Sequence, residues 1–68
     1  MRYKVGDLIE FEAGWRSLIV KVKRWEGLGT ETYTCLDEDG NQWNRHSDDI
    51  YKYSKILTRA TVEVHQNA

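Results

Sequence analysis

Hydrophobic and polar residues alternate along much of the chain with the two-residue period of β-strands. After a Gly6-Asp7 turn signal, apolar side chains and glutamates alternate over residues 8–12 and predict a first strand. The longest alternating run covers residues 16–25 and predicts a second strand. One face of this run consists of Leu18, Val20 and Val22. The opposite face consists of Ile19, Lys21, Lys23 and Trp25. We expect the first of these faces to point into the core.

Three more strands are predicted further along the chain. Residues with high β-propensity dominate residues 30–37 and 41–46. Asp39-Gly40 between these two runs indicates a tight hairpin, because both central turn positions need a positive φ. The pattern over residues 54–64 predicts the last strand, and residues 46–50 favour a short 3₁₀ turn before it.

A short helix is the alternative for the segment before the last strand. Over residues 46–58 it would be capped at Ser47, with Ile50, Tyr53 and Leu57 at helical spacing. Such a helix would still leave a mainly β domain. Five short strands in 68 residues predict a single closed or nearly closed barrel, since closure removes exposed sheet edges.

The composition is typical of a small folded protein in a reducing compartment. Hydrophobic residues make up 40% and charged residues 31%, proportions that a disordered segment does not have. The single cysteine, Cys35, excludes an intramolecular disulfide, and no apolar run approaches the roughly 20 residues of a membrane span. The N-terminal residues show no signal-peptide pattern. We therefore expect a cytoplasmic protein without a membrane partner.

Charge is distributed unevenly, although the net charge is only -1. Residues 27–50 contain six acidic residues and one basic residue, whereas residues 1–26 contain six basic and four acidic ones. The acidic side chains at 37–39 and 48–49 either solubilise their loops or meet a basic partner. If these segments separate in space, the resulting polar axis would steer the encounter with a partner.

Five short segments resemble Tudor-like and KOW-like barrels of the SH3-like fold. In that pattern a "VGD" turn opens the first strand, a glycine marks the loop before a long second strand, and a "DG" hairpin precedes the fourth. A short turn with "DDI" or "DDL" then precedes the fifth strand. The matching segments are Tyr3-Lys4-Val5-Gly6-Asp7-Leu8-Ile9, Gly14, Leu18-Ile19-Val20-Lys21-Val22, Asp39-Gly40-Asn41-Gln42-Trp43 and His46-Ser47-Asp48-Asp49-Ile50. Small bacterial and bacteriophage proteins of this size look similar.

The resemblance implies an all-β fold, a five-stranded SH3-like small barrel with a short 3₁₀ turn before the last strand. The domain would cover residues 3–64, followed by a frayed tail over residues 65–68. Barrels of this kind bind RNA or DNA, bind methylated peptides or dock to proteins, so the fold alone does not select a function.

The candidate partner-binding residues are aromatic and basic side chains near the predicted first loop and second strand. They are Trp15, Arg16, Lys21, Lys23, Arg24, Trp25 and Trp43. Phe11, Tyr33 and one of the tryptophans are expected in the core, because aromatic residues bury the most area in a thin core. The favoured function is that of a protein-binding module, and a homodimer is a further possible state.

Two other binding functions remain open. Nucleic acid would contact the basic residues of the second strand and stack on Trp25, although the isoelectric point of about 6.1 is low for such a domain. A methyl-lysine cage would combine Trp15, Tyr33 and Trp43 with the acids Asp48-Asp49.

The sequence contains no recognisable catalytic or metal-binding pattern. His46, His65 and Cys35 lack ligand spacing, and Cys35 reads as a small buried hydrophobic residue in a strand. No phosphate-binding loop or Ser-His-Asp set is present. We therefore expect a non-enzymatic protein with no catalytic residue, no metal and no cofactor.

Overall fold

The computed structural model describes residues 2–60, which form five antiparallel strands in one sheet and one short helix. The elements in chain order are β1 (Leu8–Phe11), β2 (Arg16–Trp25), β3 (Thr30–Asp37), β4 (Gln42–His46), α1 (Ser47–Tyr53) and β5 (Ser54–Thr58). Five predicted strands are therefore confirmed within the described residues. The last strand is confirmed over residues 54–58 but does not continue through residues 59–60, and its predicted end at 61–64 and the predicted tail lie outside the described residues.

The sheet has the strand order β4-β3-β2-β1-β5. The first four strands follow one another as a meander, and the chain then returns so that β5 pairs with β1. Over residues 2–60, β4 and β5 are edge strands that pair with one neighbour each, so the sheet is not closed there. The described residues thus confirm a five-stranded sheet with a helix beside it, but not the predicted closure of this sheet into a barrel.

The expected inward face of β2 is wrong in its first half. Ser17 and Ile19 are buried, whereas Leu18 points outward and is 37% exposed. The register with β3 shifts between Ile19 and Lys21, a β-bulge that reverses the alternation. After the bulge Val22 packs against the core. Simple period-two reasoning fails here because it assumes an uninterrupted ladder.

The segment before the last strand is an α-helix of seven residues, not the predicted 3₁₀ turn. The alternative of a helix is confirmed, but it ends at Tyr53 rather than at residue 58. Its N-cap is His46, whose Nδ1 accepts a 3.1 Å hydrogen bond from the Asp48 N–H. The expected cap, Ser47, is buried and its Oγ accepts from the Glu31 N–H instead.

The core lies between the inner face of the sheet and α1. Its buried members are Tyr3, Ile9, Ile19, Tyr33, Cys35 and Ile50, with Phe11, Val22, Tyr51 and Ile56 packed around them. The rings of Tyr3, Tyr33 and Tyr51 meet pairwise with centroids 5.4–5.9 Å apart. No tryptophan is buried in the described part of the chain, so the expectation of one core tryptophan is wrong.

Candidate binding surfaces

The predicted partner-binding residues do not form one continuous surface. Trp15 and Arg16 lie at the beginning of β2, whereas Trp25 is its last residue. A strand of ten residues spans about 30 Å, so these two tryptophans stand at opposite ends of the molecule's longest strand. The candidates therefore divide into two separate surfaces, with Arg24 and Trp43 on neither.

The first surface is a groove of about 200 Å³ beside the exposed ring of Trp15, and we call it the tryptophan groove. Its lining residues are Trp15, Arg16, Asp37, Glu38 and Asp39. Trp15 is 60% exposed. The groove thus combines a large aromatic surface with three carboxylates and one guanidinium.

A tight turn between β1 and β2 positions Trp15. The Phe11 N–H donates to the Trp15 carbonyl oxygen at 2.7 Å, and the Gly14 N–H donates to the Phe11 carbonyl oxygen at 2.7 Å. Gly14 has a φ of 94°, a conformation that side chains bearing a Cβ rarely adopt. Glycine at this position therefore allows the chain to reverse and present Trp15 beside the β3–β4 hairpin.

The carboxylates of the tryptophan groove are held by short-range contacts. Asp37 accepts a hydrogen bond from Ser17 Oγ and lies 4.0 Å from Nη2 of Arg45. The two oxygens of Asp39 accept from the backbone N–H and the side-chain amide of Asn41, each at 3.1 Å. Nε of Arg16 lies 3.6 Å from Oε2 of Glu10, outside the groove. The groove therefore keeps a surplus of negative charge.

The second surface is the outer side of the β2–β3–β4 sheet after the bulge, and we call it the basic face. Cross-strand partners share a face, so the register assigns its members. They are Lys21, Lys23, Trp25, Thr30, Thr32, Thr34, Leu36, Gln42, Asn44 and His46. None of these strand positions carries a carboxylate. The acid of β3, Glu31, faces the opposite side and is buried.

Trp25 is fixed on the basic face by two contacts. Its Nε1–H donates a 2.8 Å hydrogen bond to Thr32 Oγ1 on the neighbouring strand. Nζ of Lys23 lies 4.3 Å from the centroid of the indole ring. Trp25 remains 41% exposed. The sequence offered no sign of Thr32 as the residue that orients this indole, because strand register is needed to pair them.

Arg24 and Trp43 lie apart from both surfaces. Arg24 projects to the inner side of β2, where its Nε lies 3.7 Å from Oε2 of buried Glu31. Trp43 pairs with Cys35 and so shares the inner side of the sheet. It is nevertheless 51% exposed, because β4 is an edge strand. A role for Arg24 in ion pairing within the fold is thus evident.

The predicted methyl-lysine cage does not assemble. Tyr33, one of the three aromatic residues predicted to line the cage, is 0% exposed and packs in the core. Asp48 and Asp49 lie in the first turn of α1, whereas the hairpin acids line the tryptophan groove. Of the aromatic residues predicted for the cage, Trp15 lines a groove together with the acidic residues 37–39.

Other features of the surface bear on chemistry. A groove of about 340 Å³ lies between the β1 end and the α1–β5 junction, with Phe11, Tyr53 and Lys55 among its lining residues. Across residues 2–60, no cluster of three or more His, Cys, Asp or Glu side chains is arranged to hold a metal ion. No helix in the same range is long and apolar enough to cross a membrane.

Comparisons of the chain with protein-family models, with curated proteins and with solved structures found no match.

Proposed function

We propose that this chain is a small SH3-like barrel of the Tudor-like or KOW-like kind that binds a protein and catalyses no reaction. Three features support the proposal: the strand order β4-β3-β2-β1-β5, the long bulged β2 and the short helix α1 before β5. A reducing cytoplasm suits its one buried thiol, Cys35.

The exposed ring of Trp15 is the observation that carries this function. A tryptophan side chain buries 150–250 Å² when it packs, so leaving three-fifths exposed forgoes about 2–4 kcal/mol of burial at roughly 25 cal/mol per Å². That sum is large for a domain of this length, whose net stability is on the order of 5 kcal/mol. Tryptophans left exposed at this cost are typical of the residues that anchor protein interfaces.

The composition of the tryptophan groove indicates a basic partner. A lysine or arginine side chain entering it would lie against the Trp15 ring and within reach of Glu38 and Asp39. A cation over an indole contributes about 0.5–2 kcal/mol, depending on how far it is desolvated. The surrounding carboxylates add attraction and would steer a positively charged segment toward the groove.

Fluorescence of a single-tryptophan protein tests this function. In the variant W25F/W43F, indole emission reports on Trp15 alone. Titration with hexalysine should shift or quench this emission, and hexaglutamate should not. The same hexalysine titration followed by amide NMR should move the resonances of Arg16, Glu38 and Asp39 first.

Two variants complete the design. Trp15→Ala should abolish the localised NMR response, whereas Trp43→Ala, which removes an exposed tryptophan elsewhere, should preserve it. Shifts scattered over all acidic residues and unchanged by Trp15→Ala would reduce the response to general charge attraction. A dimer in sedimentation equilibrium that Trp15→Ala converts to monomer would show that the groove is covered by a second copy, contrary to the proposal.

A further inference from the structure

The basic face separates positive charge from the acidic remainder of the chain. Its outward strand positions include Lys21 and Lys23 and no carboxylate, although the whole chain has a net charge of -1. The acids of β3 and of the following hairpin lie on the inner side or at the tryptophan groove. The low isoelectric point is a property of the whole chain. It therefore does not argue against nucleic-acid binding by the basic face alone.

Trp25 gives the basic face a ring on which a base can stack. The hydrogen bond to Thr32 holds the indole in one orientation, so little side-chain entropy remains to be lost on binding. A base would displace the Lys23 ammonium from the ring, at a cost of about 0.5–1 kcal/mol for an exposed cation–π contact. Base–aromatic stacking contributes about 1–3 kcal/mol, so the exchange is favourable. The displaced ammonium is then free to meet a phosphate.

The shape of the basic face suits a single strand and not a duplex. Lys21 and Lys23 stand two residues apart on one strand, about 7 Å along β2, and can follow the backbone of an extended polynucleotide. Reading a duplex requires a helix or ribbon that enters a groove. Lys21 and Lys23 instead lie on a three-stranded sheet surface, because their β3 partners Thr34 and Thr32 also pair with β4.

From these observations we infer that the basic face binds single-stranded nucleic acid, RNA or DNA, through Trp25, Lys21 and Lys23. This activity is separate from the protein-binding function, which uses the tryptophan groove at the other end of β2. With only two lysines engaged, binding is weak and non-specific, with a Kd on the order of 10⁻⁴–10⁻⁵ M.

Fluorescence anisotropy of labelled 12-mers tests the inference at about 20 mM salt. The probes are oligo(dT), oligo(rU) and a duplex of the same length. Both single strands should bind more tightly than the duplex, and log K should fall against log salt with a slope of about -1.4 for two phosphates. Trp25→Ala should weaken binding about 5- to 160-fold, the range expected for one stacked base. The variant K21Q/K23Q should bind at least about fivefold more weakly, with a slope near zero.

A matched variant separates this face from general charge effects. K4Q/K52Q removes two lysines on other surfaces and gives the same net charge as K21Q/K23Q, so it should change Kd less than about twofold. Trp15→Ala should leave nucleic-acid binding intact, which distinguishes this inference from the proposed function. Urea unfolding of each variant checks that the fold is retained.

Four results would overturn the inference. They are equal losses in K4Q/K52Q and K21Q/K23Q, tighter binding of the duplex, equally strong binding of hexaglutamate that depends on Lys21 and Lys23, and no anisotropy change with about 100 µM wild-type protein. The third result would assign the basic face to acidic proteins.

Discussion

The Tyr51 hydroxyl donates a 3.1 Å hydrogen bond to Oε1 of Glu31, and this bond sets the direction of a chain of hydroxyl groups. Since Tyr51 donates to Glu31, the 2.6 Å contact between the hydroxyls of Tyr33 and Tyr51 has Tyr33 as donor. Tyr33 in turn accepts from the Tyr3 N–H at 3.1 Å. Burial first, and then the hydrogen bond with Tyr33, raise the pKa of Tyr51 well above its ordinary value. The hydroxyl therefore stays protonated and remains a donor.

Tyr51→Phe should lower the free energy of unfolding by about 1–3 kcal/mol. The change removes one hydroxyl and leaves the Glu31 carboxylate and the Tyr33 hydroxyl each short of a partner in a poorly solvated site. Urea denaturation measures the difference. Tyr53→Phe, at an exposed position on the same helix, is the matched control and should change stability by less than about 0.5 kcal/mol. Equal effects of the two substitutions would mean that the hydroxyl chain contributes nothing.

Asp7→Ala should be among the most destabilising single substitutions, at about 2–4 kcal/mol. The buried carboxylate accepts 2.8 Å hydrogen bonds from the N–H groups of Lys4 and Ala60 and lies 3.8 Å from Nη1 of Arg59. Its loss leaves two amides without acceptors and frees the residues after β5 from the first turn. Hydrogen exchange should show faster exchange at Lys4 and Ala60 in particular. If those amides keep their protection, Asp7 does not hold the two segments together.

The stability of the protein should fall as pH rises through the range 9 to 11. Burial raises the pKa of the Cys35 thiol to about 11 from 9.0, so the unfolded chain loses this proton before the folded protein does. The contribution of Cys35 to stability is complete below about pH 8; about 1 kcal/mol of it is lost by pH 10 and about 2–3 kcal/mol near pH 11. Cys35→Ala should flatten the decline between pH 8 and 10 in urea titrations. Parallel curves for both proteins would refute the assignment to Cys35.

The positions of the strands along the chain followed from the sequence because they depend on local signals. The β2 and β3 ranges were predicted from alternation, and the hairpin between β3 and β4 from Asp39-Gly40. Its turn differs from the predicted one, because the Gly40 N–H donates to the Asp37 carbonyl oxygen, which makes Glu38 and Asp39 the central turn residues.

The bulge after Ile19 was not predictable, because it depends on pairing with β3 and leaves no mark in β2 alone. The N-cap of the helix was misplaced by one residue, because His46 is an uncommon N-cap residue, whereas Ser47 is a common one.

The sequence predicted which residue types form the candidate surfaces, but not which of those residues lie together. Trp15 and Trp25 were both singled out and treated as one edge, although the predicted strand over residues 16–25 spans about 30 Å and already separates them. The association of Trp15 with the hairpin acids depends on two turns meeting, a contact of long sequence separation. Likewise, the absence of carboxylates beside Lys23 is a property of cross-strand neighbours, which a linear charge count mixes with residues of the other face.

Substitutions at two adjacent positions of β2 test the inward face directly. Ile19→Ala should cost about 2–4 kcal/mol, because its side chain is fully buried and its removal leaves a cavity. Leu18→Ala should cost less than about 1 kcal/mol, since Leu18 lies on the outer face between Leu8 and Leu36. Both residues have the same side-chain composition, so each serves as the control for the other. Alternation without a bulge predicts the reverse order, and urea midpoints that follow the reverse order would place Leu18 in the core and contradict the bulge after Ile19.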